Sequence, residues 1–213
     1  LPAQPEKKSG TPSIELKDLR GGETRIAITQ GERKINTLLH TIQADEIKKE
    51  PGQVLQLLHP VVQGEQLLYT DKTQSLRVGR YRVEDSLPST LEQVTYSSIS
   101  NGTFQFRAPL ITGNVAIGSA LANTIRLDTV LVQSPQVQLD LSDNPRKQKW
   151  PDLQIGQLRL LQPRIELRSP GTGKGATFNW DGYAKKNNYL LLKNCFSQPA
   201  GKLQVGSMEL HMD

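Results

Sequence analysis

Apolar and polar residues alternate along most of the chain, and the alternation breaks at one recurring place. Four stretches carry it: Leu76-Arg77-Val78-Gly79-Arg80-Tyr81-Arg82-Val83, Ile125-Arg126-Leu127-Asp128-Thr129-Val130-Leu131-Val132, Leu153-Gln154-Ile155-Gly156-Gln157-Leu158-Arg159-Leu160 and Leu203-Gln204-Val205-Gly206-Ser207-Met208-Glu209-Leu210. A period of two marks a half-buried strand. In every copy the fourth residue is Gly or Asp, and the alternation then slips by one position. Such a slip would turn the following apolar side chains to the opposite face. A β-bulge, which adds one residue to one strand, restores the facing. A two-residue Gly-x hairpin turn is the alternative. The halves are short for separate strands, so the pattern predicts one bulged strand per copy.

The second and third copies share more. Pro135 and Pro163 each follow the first repeat position by 10 residues, and alternating runs, Val137 to Leu141 and Ile165 to Leu167, come next. Proline lacks an N–H, so each is expected at a strand end or an edge. The copies begin at residues 76, 125, 153 and 203, an irregular spacing that is unlike a fixed-period solenoid.

Further strands are predicted at Ile14 to Leu19 and Thr24 to Ile28 around Gly21-Gly22, at Ile35 to Ile47, and at Gln66 to Thr70. Val54 to His59 reads as a helical turn or a strand. Leu91 to Ser98 and Thr103 to Arg107 flank Asn101-Gly102, a hairpin signal. Thr112-Gly113-Asn114 is read as a break before Val115 to Ile117. Gly175 to Tyr183 and Tyr189 to Leu192 form a second hairpin candidate. No apolar stripe of helical period exceeds two turns. The expected fold is mainly β: an elongated, curved, largely antiparallel sheet, half-pipe or groove-like, with few or no helices. Residues 1–12 read as a Pro-rich polar linker. An N-terminal β region (13–142), a loop (143–152) and a C-terminal β region (153–213) continuing the same sheet follow.

Composition agrees with a thin core. Apolar residues make up 36% of 213, low for a compact globule. Lys and Arg outnumber Asp and Glu by 26 to 21. They are spread along the chain, with only small clusters such as Arg146-Lys147-Gln148-Lys149, which argues against a nucleic-acid partner. One cysteine, Cys195, excludes an internal disulfide, and with three histidines it argues against Cys/His zinc sites. No run of 18 apolar residues occurs and no signal peptide is seen. A segment cut just downstream of a signal or anchor would begin as this one does, and so would a cytosolic domain with a loose N-terminus.

Chemical motifs are few. Pro170-Gly171-Thr172-Gly173-Lys174-Gly175 has Arg168 where a phosphate-binding loop needs its first Gly, and Gly175 where it needs a hydroxyl. Asn101-Gly102-Thr103 is a glycosylation sequon that also reads as a plain turn. His40 and His59 lack the context of a catalytic triad. Asp140, Asp143 and Asp152 lack calcium-loop spacing. Cys195, beside Phe196, reads as buried. Phe178, Trp180 and Tyr183 read as packing residues or as an aromatic strip for a glycan or lipid. No catalytic residue, metal site or cofactor is expected.

The rhythm of Ile125 to Leu139, repeated in Leu153 to Leu167, resembles the strand repeats of the AsmA-like family of bacterial envelope proteins. That resemblance implies an elongated groove-shaped sheet conducting lipid between membranes. It also implies a periplasmic or extracytoplasmic location, an anchoring membrane segment outside these residues, and no enzymatic role. A sheet curled into a trough turns one side chain in two to its concave face. One parity of the copies, Ile125, Leu127, Leu153, Ile155, Leu158, Leu160, Val205 and Met208, is the candidate lining of an apolar groove. A core between two packed sheets would use the same residues. The alternative function is a structural or adhesion-type β domain that binds protein or glycan.

Overall fold

The structure, a computed structural model, describes residues 14–49, 56–85, 87–99, 102–115, 124–141, 152–169, 176–182, 187–197 and 203–212. They form fifteen strands: β1 (Ile14–Gly21), β2 (Thr24–Gln30), β3 (Arg33–Lys49), β4 (Gln56–Leu58), β5 (Val61–Thr70), β6 (Gln74–Glu84), β7 (Ser89–Ser98), β8 (Gly102–Val115), β9 (Thr124–Gln133), β10 (Gln136–Leu141), β11 (Asp152–Leu161), β12 (Arg164–Ser169), β13 (Ala176–Asp181), β14 (Tyr189–Ser197) and β15 (Leu203–His211). All belong to one sheet. Its main path runs β1-β3-β5-β6-β7-β8-β9-β11-β14-β15, with β2 and β4 on β3 and with β10, β12 and β13 as a side branch. β1 and β15 do not pair, so the sheet is open and is not a barrel. Every pairing is antiparallel except β9 with β11 and β10 with β12. The mainly β expectation therefore holds, and residues on both sides of the predicted 143–152 loop share one sheet through the β9–β11 ladder.

Each of the four repeated stretches is a single strand: β6, β9, β11 and β15. The second and third copies lie side by side, with Leu127 beside Ile155, Val130 beside Leu158 and Val132 beside Leu160. The third and fourth flank β14, which places Leu158 and Met208 on either side of Leu192. Matched sequence thus becomes matched position, because neighbouring strands with one pattern keep their apolar residues on one face.

At Gly79, Gly156 and Gly206 the slip is accommodated differently from the predicted bulge, while the Asp128 copy carries one against β8. Around Gly79, Val78 pairs with Leu67 and Arg80 with Glu65, so the ladder loses no residue on either side. On the other side Arg77 pairs with Thr95 and Arg80 with Glu92. Both strands change parity at the same level. The facing residues take the left-handed region instead: Gln66 (φ 54°) and Gln93 (φ 54°) both lie beside Gly79. The same holds for Asn194 (φ 55°), which lies between Gly156 and Gly206. An extra residue on one strand occurs at the Asp128 copy, where Gly113 pairs with Val130 and Val115 with Leu127. That bulge restores the facing of β9 against β8, so Leu127, Val130 and Val132 stay on the face of the second cluster. A parity change shared by the whole row keeps the apolar residues together.

These positions line up into two transverse creases. The first runs from Gln66 through Gly79, Gln93 and Pro109 to Ser134 (φ 43°) and Gln162 (φ 48°). The second runs through Asp128, Gly156, Asn194 and Gly206. Ser134 and Gln162 precede Pro135 and Pro163, at the corners where β9 turns into β10 and β11 into β12. Both prolines are fully buried. They sit at strand ends, as proline's missing N–H demands. The corners stack through backbone bonds: Ser134 N–H donates to the Leu161 carbonyl (2.8 Å) and Arg164 N–H to the Pro135 carbonyl (2.7 Å). His59 (φ 46°) and buried Pro60 make a third such corner between β4 and β5.

Two smaller expectations are corrected, and the two strands expected around Gly21-Gly22 are present. Thr112-Gly113-Asn114 does not end a strand, since β8 runs through it from Gly102 to Val115. β13 and β14 are not a hairpin: β13 pairs with β12 and β14 with β11, so they follow the bent β11–β12 pair around its corner. Gly21-Gly22 is a step between β1 and β2, which both lie along β3. Val54 to His59 includes strand β4, and the Asn101-Gly102 signal falls between paired β7 and β8. The 1–12 linker, most of the 143–152 loop and the Gly-rich 170–175 loop lie outside the described residues.

Close approach explains the glycines on the creases. A Cβ on Gly156 would lie 2.6 Å from the Asp128 carbonyl oxygen, a backbone atom that cannot swing aside. Gly156→Ala is therefore expected to lower unfolding free energy by about 1–3 kcal/mol. Gly22→Ala, with nothing within 4 Å of its added methyl, should change it by less than about 0.5 kcal/mol. Urea unfolding of both variants checks the contrast.

Candidate functional site: the apolar face

The crease logic predicts which side chains share a face, and burial agrees. On β6, Leu76 and Val78 before the slip and Tyr81 and Val83 after it are sheltered, while Arg77, Arg80 and Arg82 are exposed. On β11, Ile155, Leu158 and Leu160 are sheltered, while Gln154, Gly156, Gln157 and Arg159 are exposed. Two clusters result. Leu39, Val78, Tyr81 and Val94 form the first. Ala108, Val130, Val132 and Leu160 form the second. Phe106 and Ile111 of β8 pack against both, so the apolar surface is continuous from β3 to β14.

No second sheet or helix covers this face among the described residues. Yet Val78, Ala108 and Val132 are each only 2% exposed. The apolar side chains shelter one another along this face, and the creases mark where the strands change facing. Burying a valine such as Val78 or Val132 stabilises the fold by about 1.5–3 kcal/mol. Among the described residues both clusters stand on one sheet. The nine strands from β3 to β15, spaced about 4.8 Å, give this apolar face a length of about 38 Å across the strands.

Shelter fades at one end. On the last strand Val205 is 37%, Leu210 51% and Met208 68% exposed. They pair with Cys195, Leu190 and Leu192 and so extend the apolar row to the open edge. The trough thus has a closed middle and an apolar mouth at β15.

Of the proposed lining, Leu127, Ile155, Leu158 and Leu160 lie in the second cluster, and Val205 and Met208 stand at the mouth. Ile125 and Leu153 pair through their backbones, and their side chains lie outside the described residues. The first cluster, built on β3, β6 and β7, was missed as lining. The first repeat copy contains its Val78 and Tyr81, and the slip at Gly79 was the available signal. Cys195 is buried on the same face, and burial pushes its thiol pKa up, which keeps it protonated and unreactive.

Polar groups on this face are tied down. The Tyr81 and Thr37 hydroxyls are 2.8 Å apart, and Thr37 Oγ1 donates to the Glu65 carbonyl (3.0 Å). At the strand ends, Tyr69 donates its phenol proton to Asp71 Oδ2 (2.6 Å), and Asp71 Oδ1 accepts from Thr73 and Gln74 N–H (both 2.8 Å). His40 lies 3.7 Å from Glu23 and 3.6 Å from Glu65, and His59 Nδ1 lies 2.8 Å from Asp45 Oδ2. These are surface pairs, and neither lies on the apolar face. Trp180 is half-buried on β13 opposite Ile165, while the side chains of Phe178 and Tyr183 lie outside the described residues. Among the described residues no three His, Cys, Asp or Glu side chains gather as a metal site, and no helix is long and apolar enough to cross a membrane.

No family model, no curated protein and no solved structure matches the chain. Sheet geometry and side-chain placement therefore define the class: an open, largely antiparallel β-sheet whose described residues carry a continuous apolar face.

The Tyr69 hydrogen bond is the largest cause holding the Asp71 carboxyl below its ordinary pKa, followed by the Thr73 N–H. A depressed folded-state pKa stabilises the fold above the ordinary carboxylate pKa, and that contribution is lost as pH falls through the folded value. Tyr69→Phe should therefore move the Asp71 titration upward and shift the acid loss of stability to higher pH. A carbon-detected NMR titration of the aspartate carboxyls reads the change.

Proposed function

We propose that this chain is a non-enzymatic lipid-holding segment that lays acyl chains along the apolar trough. The single observation that carries the reading is the apolar face itself, continuous from β3 to β14 and reaching the edge at β15, with no second sheet over it among the described residues. The trough, about 38 Å long, exceeds the roughly 15 Å occupied by tails in one leaflet of a bilayer whose core is about 30 Å thick. A dozen methylenes withdrawn from water would contribute about 10 kcal/mol before ordering costs. That is enough to hold a lipid by its tail without a dedicated headgroup pocket.

The strand rhythm supports the same reading through its resemblance to AsmA-like envelope proteins. On that reading the protein works in the periplasm or another extracytoplasmic space, in envelope or outer-membrane biogenesis. A membrane segment outside these residues anchors it there, and lipid or a membrane surface is its partner.

Native mass spectrometry of protein purified from cells should show co-purifying lipid, and a fluorescent fatty acid should bind saturably. Met208→Glu, at the exposed mouth, should weaken that binding about tenfold, since a charge must then be approached or desolvated by the tail. Its unfolding midpoint should hardly move, because the side chain is 68% exposed. Protein that carries no lipid and binds no fatty acid would overturn the assignment.

A further inference from the structure

We propose that the opposite, polar face carries a binding site for a phosphate monoester at the first crease, independent of the lipid reading. The crease bends the sheet enough to leave a concavity of about 650 Å³ there, into which Arg25, Asn36, Gln66, Arg77, Gln93 and Thr95 contribute. They come from five different strands, β2, β3, β5, β6 and β7, so the site exists only in the folded sheet.

Charge distinguishes this place from the rest of the polar face. Several cations elsewhere sit against a carboxylate: Arg80 with Glu92 at 2.6 Å, Arg82 with Glu84 at 2.8 Å, Arg164 with Asp181 at 3.1 Å and Lys193 with Glu209 at 2.6 Å; here two arginines share one hollow. Arg25 and Arg77 have no ion-pair or hydrogen-bond partner among the described residues, and no carboxylate lines the concavity. Two unneutralised guanidiniums in one hollow repel each other until an anion sits between them. Every polar group around it is able to donate a hydrogen bond, so the hollow suits a ligand rich in acceptor oxygens.

A phosphate monoester fits that description better than a carboxylate. It carries about −1.5 to −2 charge at pH 7, close to the two positive charges on offer, and presents three acceptor oxygens. Each guanidinium fork is shaped to grip two of them. Gly79 forms part of the floor. A Cβ there would collide with the Gln93 side chain, so glycine leaves that amide room to lie across the crease. The φ of 54° at both Gln66 and Gln93 sets their two amides on either side of the same floor.

The ester could reach this hollow free in solution or as a lipid headgroup, and two arms of one experiment separate the sources. The first titrates the chain with glycerol 3-phosphate at low salt by calorimetry. The second measures binding to phosphatidylcholine vesicles with and without phosphatidic acid. Saturable one-to-one binding of glycerol 3-phosphate, weakened at least about tenfold by Arg77→Gln or Arg25→Gln and unchanged by Arg126→Gln, is expected for a free ester. Binding confined to phosphatidic acid vesicles, with the same dependence on Arg77 and Arg25, assigns the headgroup as the source. Absence of binding in both arms, or binding that Arg77→Gln and Arg25→Gln leave intact, overturns the site. Fatty-acid binding by the same variants should persist, so loss of the phosphate site and loss of the trough are read separately.

Discussion

The fold depends on one constraint: a change of side-chain parity in one strand must be matched at the same level by its neighbour, or taken up by a bulge as between β3 and β5 and between β8 and β9. A strand that slips alone turns half of its apolar residues toward solvent. Here the slip is shared, so glycine or a residue in the left-handed region stands at each crossing of the first crease from Gln66 to Gln93, and again from Gly156 to Gly206. A non-glycine residue at positive φ typically costs about 1–3 kcal/mol. The continuous apolar face on the other side of the creases offsets that cost.

The creases also decide the shape. Along this face Val78, Val94, Ala108 and Val132 are hidden, although the described residues supply no second sheet over it. The buried prolines at 60, 135 and 163 turn the chain at corners where an N–H would otherwise go unpaired. The same bending that shelters the apolar face opens hollows on the polar one, so the two faces acquire different chemistry from one set of backbone kinks.

Much of this was legible in the sequence. The four stretches read as strands because their period is two, and they are strands. The proline offsets in the second and third copies identified the corners, since a residue without an N–H has few places in a ladder. The parity slip was visible, but its mechanism was not. A single copy cannot show whether the partner strand slips too, because the partners Gln66, Gln93 and Asn194 carry no glycine-like signature. For the same reason the first cluster and the polar hollow were missed: both are assembled from strands far apart in sequence. β13 and β14 looked like a hairpin because each is apolar and the segment between them polar. The corner at Gln162-Pro163 sends them to different partners instead.

The most direct test of the curled, single-layer sheet is methyl NMR of the chain with a doxyl-labelled stearic acid. A trough open to acyl chains predicts selective broadening of the Val78, Val94, Val130 and Val132 methyls, while those of Leu38, Leu68 and Leu131 on the other face stay sharp. Broadening of the Leu38, Leu68 and Leu131 methyls instead, or equal loss on both faces, would contradict the account.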